Sequence, residues 1–305
     1  MKTVGYVVCC SVATAAPCVA QDAERLRFPL TVLESASLSK PVFARMVMSE
    51  VREGRLDLDR PLSAYWKYDD LADDPRGDGI TARIVLSHRS GLPNWRRDRP
   101  LLIQFEPGTR FQYSGEGYVY LERVITHLRG TELEGRAQES VFGPLGMERS
   151  SFVFTGDGSG YALPHHSEGY ALDKRPAPPP GNPAASLHTT ASDYARFLRR
   201  TLTDAARDPS TLQLQSEHLT DVEEGVGWGL GWGLEYPDGK NDPALWHWGD
   251  NGPFKAFVYL DPVEGCGFVF FANSTNGLAL TRRILEHLFP GDHPLLSWLR
   301  YDQLD

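Results

Sequence analysis

Residues 34–43 read ESASLSKPVF, which sets Ser37 three positions ahead of Lys40. Val42, Phe43, Met46, Val47 and Val51 follow at helical spacing, and Gly54 closes the run. The pair therefore lies where an amphipathic helix begins. Positions i and i+3 share a helix face, so the two side chains can touch. A serine hydroxyl is a weak nucleophile until a partner removes its proton. A lysine can serve only when neutral, which burial or nearby positive charge enforces. Each unit of that shift needs about 1.4 kcal/mol. The plain alternative is a solvated first turn, since this spacing arises by chance about once per 300 residues. The rest of the chain decides between them.

The 305 residues are 41% hydrophobic and 23% charged, enough apolar material for a large core. A net charge of -9 without any basic run argues against nucleic acid as a partner. The cysteines are Cys9, Cys10, Cys18 and Cys266, three of them within the first 18 residues. That pattern gives neither a disulfide framework nor zinc-type spacing, and His165–His166 lacks an HExxH companion. No metal and no cofactor is expected.

Residues 3–21 carry no charge and follow Lys2. They read as a secretory signal over residues 1–20 with cleavage after Ala20, or alternatively as a buried strand over residues 4–12, VGYVVCCSV. The first reading places the protein in the periplasm or outside the cell, the second in the cytoplasm. The stretch is too interrupted by Ser, Thr and Pro to span a membrane, and no other candidate span follows.

Further helices are expected at TARIVLSHRSGLP, at residues 117–130, and at residues 192–202, the last with Ser192 as its cap. Gly91 and Pro93 shape a turn. KRPAPPPGNPAA, residues 174–185, holds five prolines in twelve residues and must be a stiff loop, either a connector or one wall of a cleft. FKAFVYLD and CGFVFFANS, separated by PVEG, read as a hairpin, and a final helix follows at LALTRRILEHLF.

Two more segments bear on Ser37. PGTRFQYSGEGYVYL puts Tyr113 in a loop just before a helix, where its hydroxyl could relay a proton; alone it would be a packed aromatic. WHWGDNGPFKAF puts His247 and then Gly249 at the start of a strand, where a small residue lets a substrate lie along the edge. Alone, His247 would be a structural histidine. Trp95, Trp228, Trp232 and Trp248 form either an apolar acyl or aryl cleft or part of the core.

SLSK, GRLDLDRPLSAY, LSHRSGLP, EPGTRFQYSGEGY, PLGMERSSF, TASDYARFL, GWGLGWGL and HWGDNGPFKAFV, in that order, resemble the landmarks of the serine β-lactamase and penicillin-binding superfamily. The likeness is to its class C-like branch of related hydrolases and esterases, over about residues 29–290. It implies an α+β fold: an antiparallel sheet from the two ends of the chain, flanked by helices, with a mostly helical region over about residues 60–200 inserted in one domain, 21–305. It also implies an acylated nucleophile at Ser37, its base at Lys40, and Tyr113 as the second proton-transfer group. His247 and Gly249 stand at the family's Lys-Thr-Gly or His-x-Gly element. The N–H groups of Ser37 and Asp250 would form the oxyanion hole, with His247 hydrogen-bonding substrate or Tyr113.

Two departures bear on substrate. Gly115 stands where the tyrosine motif has asparagine, which removes an amide expected to hold an acylamide. His247 in place of lysine weakens a carboxylate clamp. Both favour a small-molecule ester over a β-lactam or peptide, leaving a β-lactamase or D-amino-acid peptidase as one alternative and a non-catalytic binding protein as another. A third departure is the short approach: 36 residues precede Ser37, where the family has a helix and two strands. Truncation, a misassigned start, or strands supplied by residues 4–12 would each account for it, and a bare sheet edge is the hazard. The sequence says nothing of oligomeric state.

Overall fold

The computed structural model describes residues 9–14, 31–154, 160–172, 181–239 and 241–301. Strand β1 (Cys9–Thr14) and the short β2 (Leu33–Glu34) precede α1 (Ser39–Arg52). The middle of the chain carries α2 (Ala82–Leu86), α3 (Gly115–Arg129), α4 (Leu133–Ala137) and α5 (Gly143–Leu145). Strand β3 (His188–Thr189) leads into α6 (Ala191–Arg207) and α7 (Pro209–Gln215). Next come β4 (Thr220–Glu223), β5 (Val226–Trp228), β6 (Gly233–Glu235), β7 (Ala244–Asn251), β8 (Phe254–Asp261) and β9 (Cys266–Ala272). Helices α8 (Thr281–Leu288) and α9 (Pro294–Leu299) follow.

The expected hairpin is β8–β9, at the centre of an antiparallel sheet ordered β1-β9-β8-β7-β6-β5-β4. From Ala256 to Leu260 and from Phe268 to Ala272 its residues are apolar without a break because both faces of the sheet are covered. Ala256, Val258, Leu260, Val269 and Phe271 point into one core with α1 and α6. Phe257, Tyr259, Phe268 and Phe270 alternate into a second core with Leu285 of α8 and with Leu295 and Leu296 of α9.

Strand β1 pairs with β9 from Cys9↔Phe271 to Thr14↔Cys266, so β9 is not the edge. The strand reading of residues 4–12 thus holds for its last four positions and runs two further. Residues 1–8 and 15–20 lie outside the described set, as does the part of the proline-rich loop at residues 173–180. Among the described residues, no helix is long and apolar enough to cross a membrane.

Two expectations shift. The helix read from residue 42 starts at Ser39, and it is buried nearly all round rather than on one stripe, because Ala44 and Met48 also meet neighbours. The cap of α6 is Thr190, not Ser192: the Thr190 hydroxyl accepts from the Asp193 N–H at 3.1 Å, so the helix starts two residues earlier than expected.

The helical middle leaves and rejoins the sheet region through β2 and β3, which pair as Leu33↔Thr189 and Glu34↔His188. This short ladder sets residues 184–187 against the turn that holds Ser37.

The far face of the sheet is closed by a clasp. His293 sets Nδ1 at 2.9 Å from Glu235 Oε2 and Nε2 at 2.7 Å from the Phe289 carbonyl oxygen. Both partners only accept, so both ring nitrogens carry protons and the ring is an imidazolium. Burial opposes that charge, but the Glu235 hydrogen bond and charge, helped by the Phe289 carbonyl and the Glu286 carboxylate, win and raise the pKa. The Leu295 N–H donates to the other Glu235 oxygen at 3.0 Å, and the Tyr259 hydroxyl faces the same carboxylate. A raised folded pKa gives a contribution that is full below the unfolded value and is lost as pH climbs through the folded one. The His293→Gln variant is therefore expected to cost about 3 kcal/mol at about pH 6, with the gap from wild type closing as pH rises through the raised pKa of the folded state. Denaturant melts across that range check it; a gap independent of pH would mean the ring is uncharged.

Candidate active site

Ser37 lies in a single 3-10 turn, Ala36–Leu38, just ahead of α1 rather than inside it. The turn is tied down on every side. Ser35 donates from its N–H and its hydroxyl to the Leu187 carbonyl, at 2.8 and 2.9 Å. The Ser39 hydroxyl donates to the Ala36 carbonyl at 2.6 Å and accepts from the Leu187 N–H at 3.0 Å. The Tyr194 hydroxyl donates to the Leu38 carbonyl at 3.0 Å. Ala36 is held at φ +49, a costly conformation for a residue with a side chain, and it sits next to the nucleophile candidate.

Lys40, in the first turn of α1, is completely buried. Its Nζ lies 3.1 Å from Ser37 Oγ and donates to the Ala184 carbonyl at 2.9 Å. No carboxylate is among these partners. Burial drives the amine well below the usual lysine range, and the positive end of α1 acts in the same direction. The Tyr113 and Tyr118 rings, with centroids 4.6 and 5.6 Å from Nζ, favour the cation and oppose that shift.

Tyr113 stands on this cluster with its ring rather than its hydroxyl facing Lys40. The hydroxyl is buried and has no hydrogen bond of normal geometry within the protein. Burial pushes its pKa above the usual tyrosine range, and Ser37, close enough to favour the ionised form, offsets only part of that. The ring is gripped by His88 at 4.2 Å between centroids and by Trp248 at 4.9 Å. His88 is fully buried at φ +56, and its Nδ1 accepts the Ser114 N–H at 3.0 Å. Burial, with Lys40 and His247 nearby, keeps it neutral. His88 lies within the LSHRSGLP landmark, yet nothing in the sequence marked it apart from its neighbours.

His247 and Gly249 reach the site on β7. His247 is fully buried; its Nδ1–H donates to the Trp248 carbonyl at 2.8 Å, and it makes no hydrogen bond to Tyr113. Burial and Lys40 hold its pKa down to about 3, so the ring is neutral and Nε2 is a buried acceptor without a partner. Of the two contacts expected of His247, to substrate or to Tyr113, the one to Tyr113 is packing and not a hydrogen bond, with 6.1 Å between ring centroids. At Gly249, any Cβ would come within 2.3 Å of the Ser35 carbonyl oxygen, so only glycine lets β7 lie against the nucleophile turn. Asn251 and Phe254 close the two-residue turn of the β7–β8 hairpin. Alternation from that pair leaves the Asp250 N–H pointing away from β8, free for another acceptor. The Asp250 carboxylate is held apart by Lys255 at 2.6 Å and by the Gly252 N–H at 2.9 Å. Asn251 donates to Glu34 at 3.0 Å and to the Ala185 carbonyl at 3.1 Å, binding strand, nucleophile segment and loop together.

The residues that sequence reasoning missed are backbone and distant ones. The Ala184 carbonyl, at the end of the proline-rich loop, has no side-chain signature. The four tryptophans divide: Trp228 and Trp232 are core, Trp248 is half-buried beside Tyr113, and Trp95 is 39% exposed. Trp95 explains Gly115. A Cβ at position 115 would lie 2.5 to 2.8 Å from three atoms of the Trp95 ring, so the indole fills the space beside Tyr113-Ser114 that a side chain would need. The Asn94 carbonyl and side-chain oxygen both accept from the Gly115 N–H at 3.1 Å, fixing that loop on the start of α3. Among the described residues no group of three or more His, Cys, Asp or Glu side chains could hold a metal ion.

Comparison with known proteins agrees with this fold. The family model described as Beta-lactamase matches residues 22–289. Protein flp of Staphylococcus aureus (strain COL) is 24% identical over 289 residues, taking in 85% of this chain and 56% of that protein. The chain thus spans little more than half the length of such relatives. Esterase EstB of Burkholderia gladioli is 26% identical over 315 residues, covering 80% of this chain and 78% of its own. The octameric penicillin-binding protein homologue from Pyrococcus abyssi superposes with a TM-score of 0.76 at 22% identity, over 96% of this chain and 76% of that one.

The contact between Trp95 and position 115 makes a coupled prediction. Gly115→Asn alone is expected to lose about 2 kcal/mol through overpacking, and Trp95→Ala in the same chain to restore most of it. Denaturant unfolding of both single variants and the double variant tests this, and strict additivity would refute the steric account.

Proposed function

We propose a function from one premise, that the chain belongs to the β-lactamase family, whose members are serine hydrolases: it forms an acyl-enzyme on Ser37 and hydrolyses carboxylic esters. The observation that carries this reading is the buried Lys40 amine 3.1 Å from Ser37 Oγ. A protein that kept the fold only for binding would have no use for so costly a burial.

The Ser37 hydroxyl gives its proton to the neutral Lys40 amine as Oγ attacks the ester carbonyl. The negative charge that develops on the carbonyl oxygen meets the N–H groups of Ser37 and Asp250. The C–O bond of the ester then breaks. Tyr113, protonated at neutral pH because its pKa is raised, gives its proton to the departing alcohol and is reprotonated from Lys40. Water adds to the acyl-enzyme by the same route in reverse, returning the acid and the Ser37 hydroxyl. His88 and His247 stay neutral and add no charge beside Lys40.

Esters are preferred to β-lactams on two observations. The neutral, buried His247 gives a substrate carboxylate no cation, and Trp95 leaves no room for an amide side chain at position 115. The similarity to an enzyme named esterase supports the same choice.

Incubation with a fluorophosphonate probe, followed by peptide mapping, is expected to give one adduct, on Ser37, absent from Ser37→Ala. Hydrolysis of p-nitrophenyl esters should exceed that of nitrocefin; the opposite order would point to a β-lactamase, and no adduct on folded protein would point to a binding protein. Lys40→Met is expected to lower acylation by about 10³-fold. It should also raise Tm at neutral pH. With a lowered folded pKa, the unfolded chain binds the extra proton between the folded value and the ordinary lysine value, so lysine at this position destabilises the fold throughout that window and below it. For the same reason acylation by the wild type should rise with pH through a pKa below that of free lysine.

A further inference from the structure

Helix α9 and Tyr301 lie beyond the residues that match the family, which end at 289. They pack beside the candidate site. The Trp298 ring meets the Trp248 ring edge-on, with centroids 5.0 Å apart and planes at 79°, and Trp248 in turn lies 4.9 Å from the Tyr113 ring. Phe111 joins the same surface, 6.4 Å from Trp298. The Tyr301 hydroxyl donates to Asp250 Oδ2 at 3.3 Å, on the residue whose N–H is the second oxyanion donor proposed above. Trp248, Trp298 and Tyr301 are each only partly buried, so this aromatic surface continues outward from Tyr113 instead of closing into the core. The segment is not loosely attached, because the Glu235–His293 clasp fixes the start of α9.

Resting on the ester hydrolase reading, we infer that Trp298 and Tyr301 are specificity-determining residues that form, with Trp248, a wall for an aromatic alcohol portion of the substrate. The side follows from the chemistry. Tyr113 hands its proton to the departing oxygen, so the surface that starts at the Tyr113 ring is the one the alcohol group meets. Flat aromatic groups stack on or against tryptophan with a gain beyond the area they cover, and two rings already meeting edge-on present such a group with one face and one edge. The Tyr301–Asp250 bond ties this wall to the strand that holds the carbonyl oxygen, so alcohol recognition and carbonyl placement share one support.

The test compares 2-naphthyl acetate with ethyl acetate, which keeps the acyl group constant, in wild type, Trp298→Ala, Trp298→Leu and Tyr301→Phe. The expected result is that the ratio of kcat/KM for the naphthyl ester to that for the ethyl ester falls about tenfold in Trp298→Ala, mostly through KM. It should fall less in Trp298→Leu, which keeps apolar bulk and serves if the alanine variant does not fold. Tyr301→Phe should keep the ratio while lowering kcat for both esters. Fluorophosphonate labelling of Ser37 separates the two levels of the reading. Labelled variants with an unchanged ratio would overturn the wall and leave the hydrolase standing. A wild type that is not labelled would overturn both.

Discussion

Everything around Ser37 follows from placing one lysine amine where water cannot reach it. Lys40 sits at the start of the most deeply buried helix, between the main core and the Tyr113–Tyr118 pair, with a serine hydroxyl and one backbone carbonyl as its hydrogen-bonding partners. A carboxylate in the same place would hold the amine protonated, and solvent would do the same. Helix α1 must therefore be covered on all sides, which requires the sheet on one flank, the helical middle on another and the end of the proline-rich loop as a lid over Nζ. The destabilising group and the reactive group are the same group, and the breadth of the surrounding core is what makes that tolerable.

The sheet contributes through one strand. Strand β7 runs five residues beyond Trp246, its last partner on β6, which leaves the Asp250 N–H on the side away from β8 without a strand neighbour. That overhang, brought to the turn of Ser37 by a glycine that lets the two backbones touch, would supply the proposed oxyanion donor without any dedicated side chain. The face of β7 opposite His247 and Gly249 carries Trp246 into the second core and Trp248 against its partly exposed margin, so a single strand couples the site to α9 and its clasp.

What could be read in the sequence was whatever local pattern controls. The helix after Ser37, the β8–β9 hairpin and the proximity of Ser37 to Lys40 follow from spacing and apolar runs, and the order of landmarks gave the fold. What could not be read depends on contacts across the chain. The Ala184 carbonyl acts through backbone and leaves no residue type to notice. The hydrogen-bond state of His247 depends on a neighbour's carbonyl, so its identity as a histidine suggested a contact with Tyr113 that packing does not make. The strands β5 and β6 hide in GVGWGLGWGLEY, where glycines needed for close approach dilute the β signal. Trp95 and Trp228 looked equivalent, and only tertiary burial separates a wall residue from a core residue.

The absence of an amide at position 115 is a case in which one change implies another. An asparagine there would need the volume that the Trp95 ring occupies, and a smaller residue at 95 would leave the Tyr113-Ser114-Gly115 turn uncovered. The turn holds Tyr113 against His88, and His88 in turn holds the Ser114 N–H. Apolar cover and the placement of Tyr113 are thus carried by the same contacts, so the site could not recover an amide anchor by a single substitution without loosening the ring proposed as proton donor. A preference for substrates with flat apolar groups is the corresponding consequence: the surfaces that remain next to Ser37 are rings, and what binds rings best is another ring.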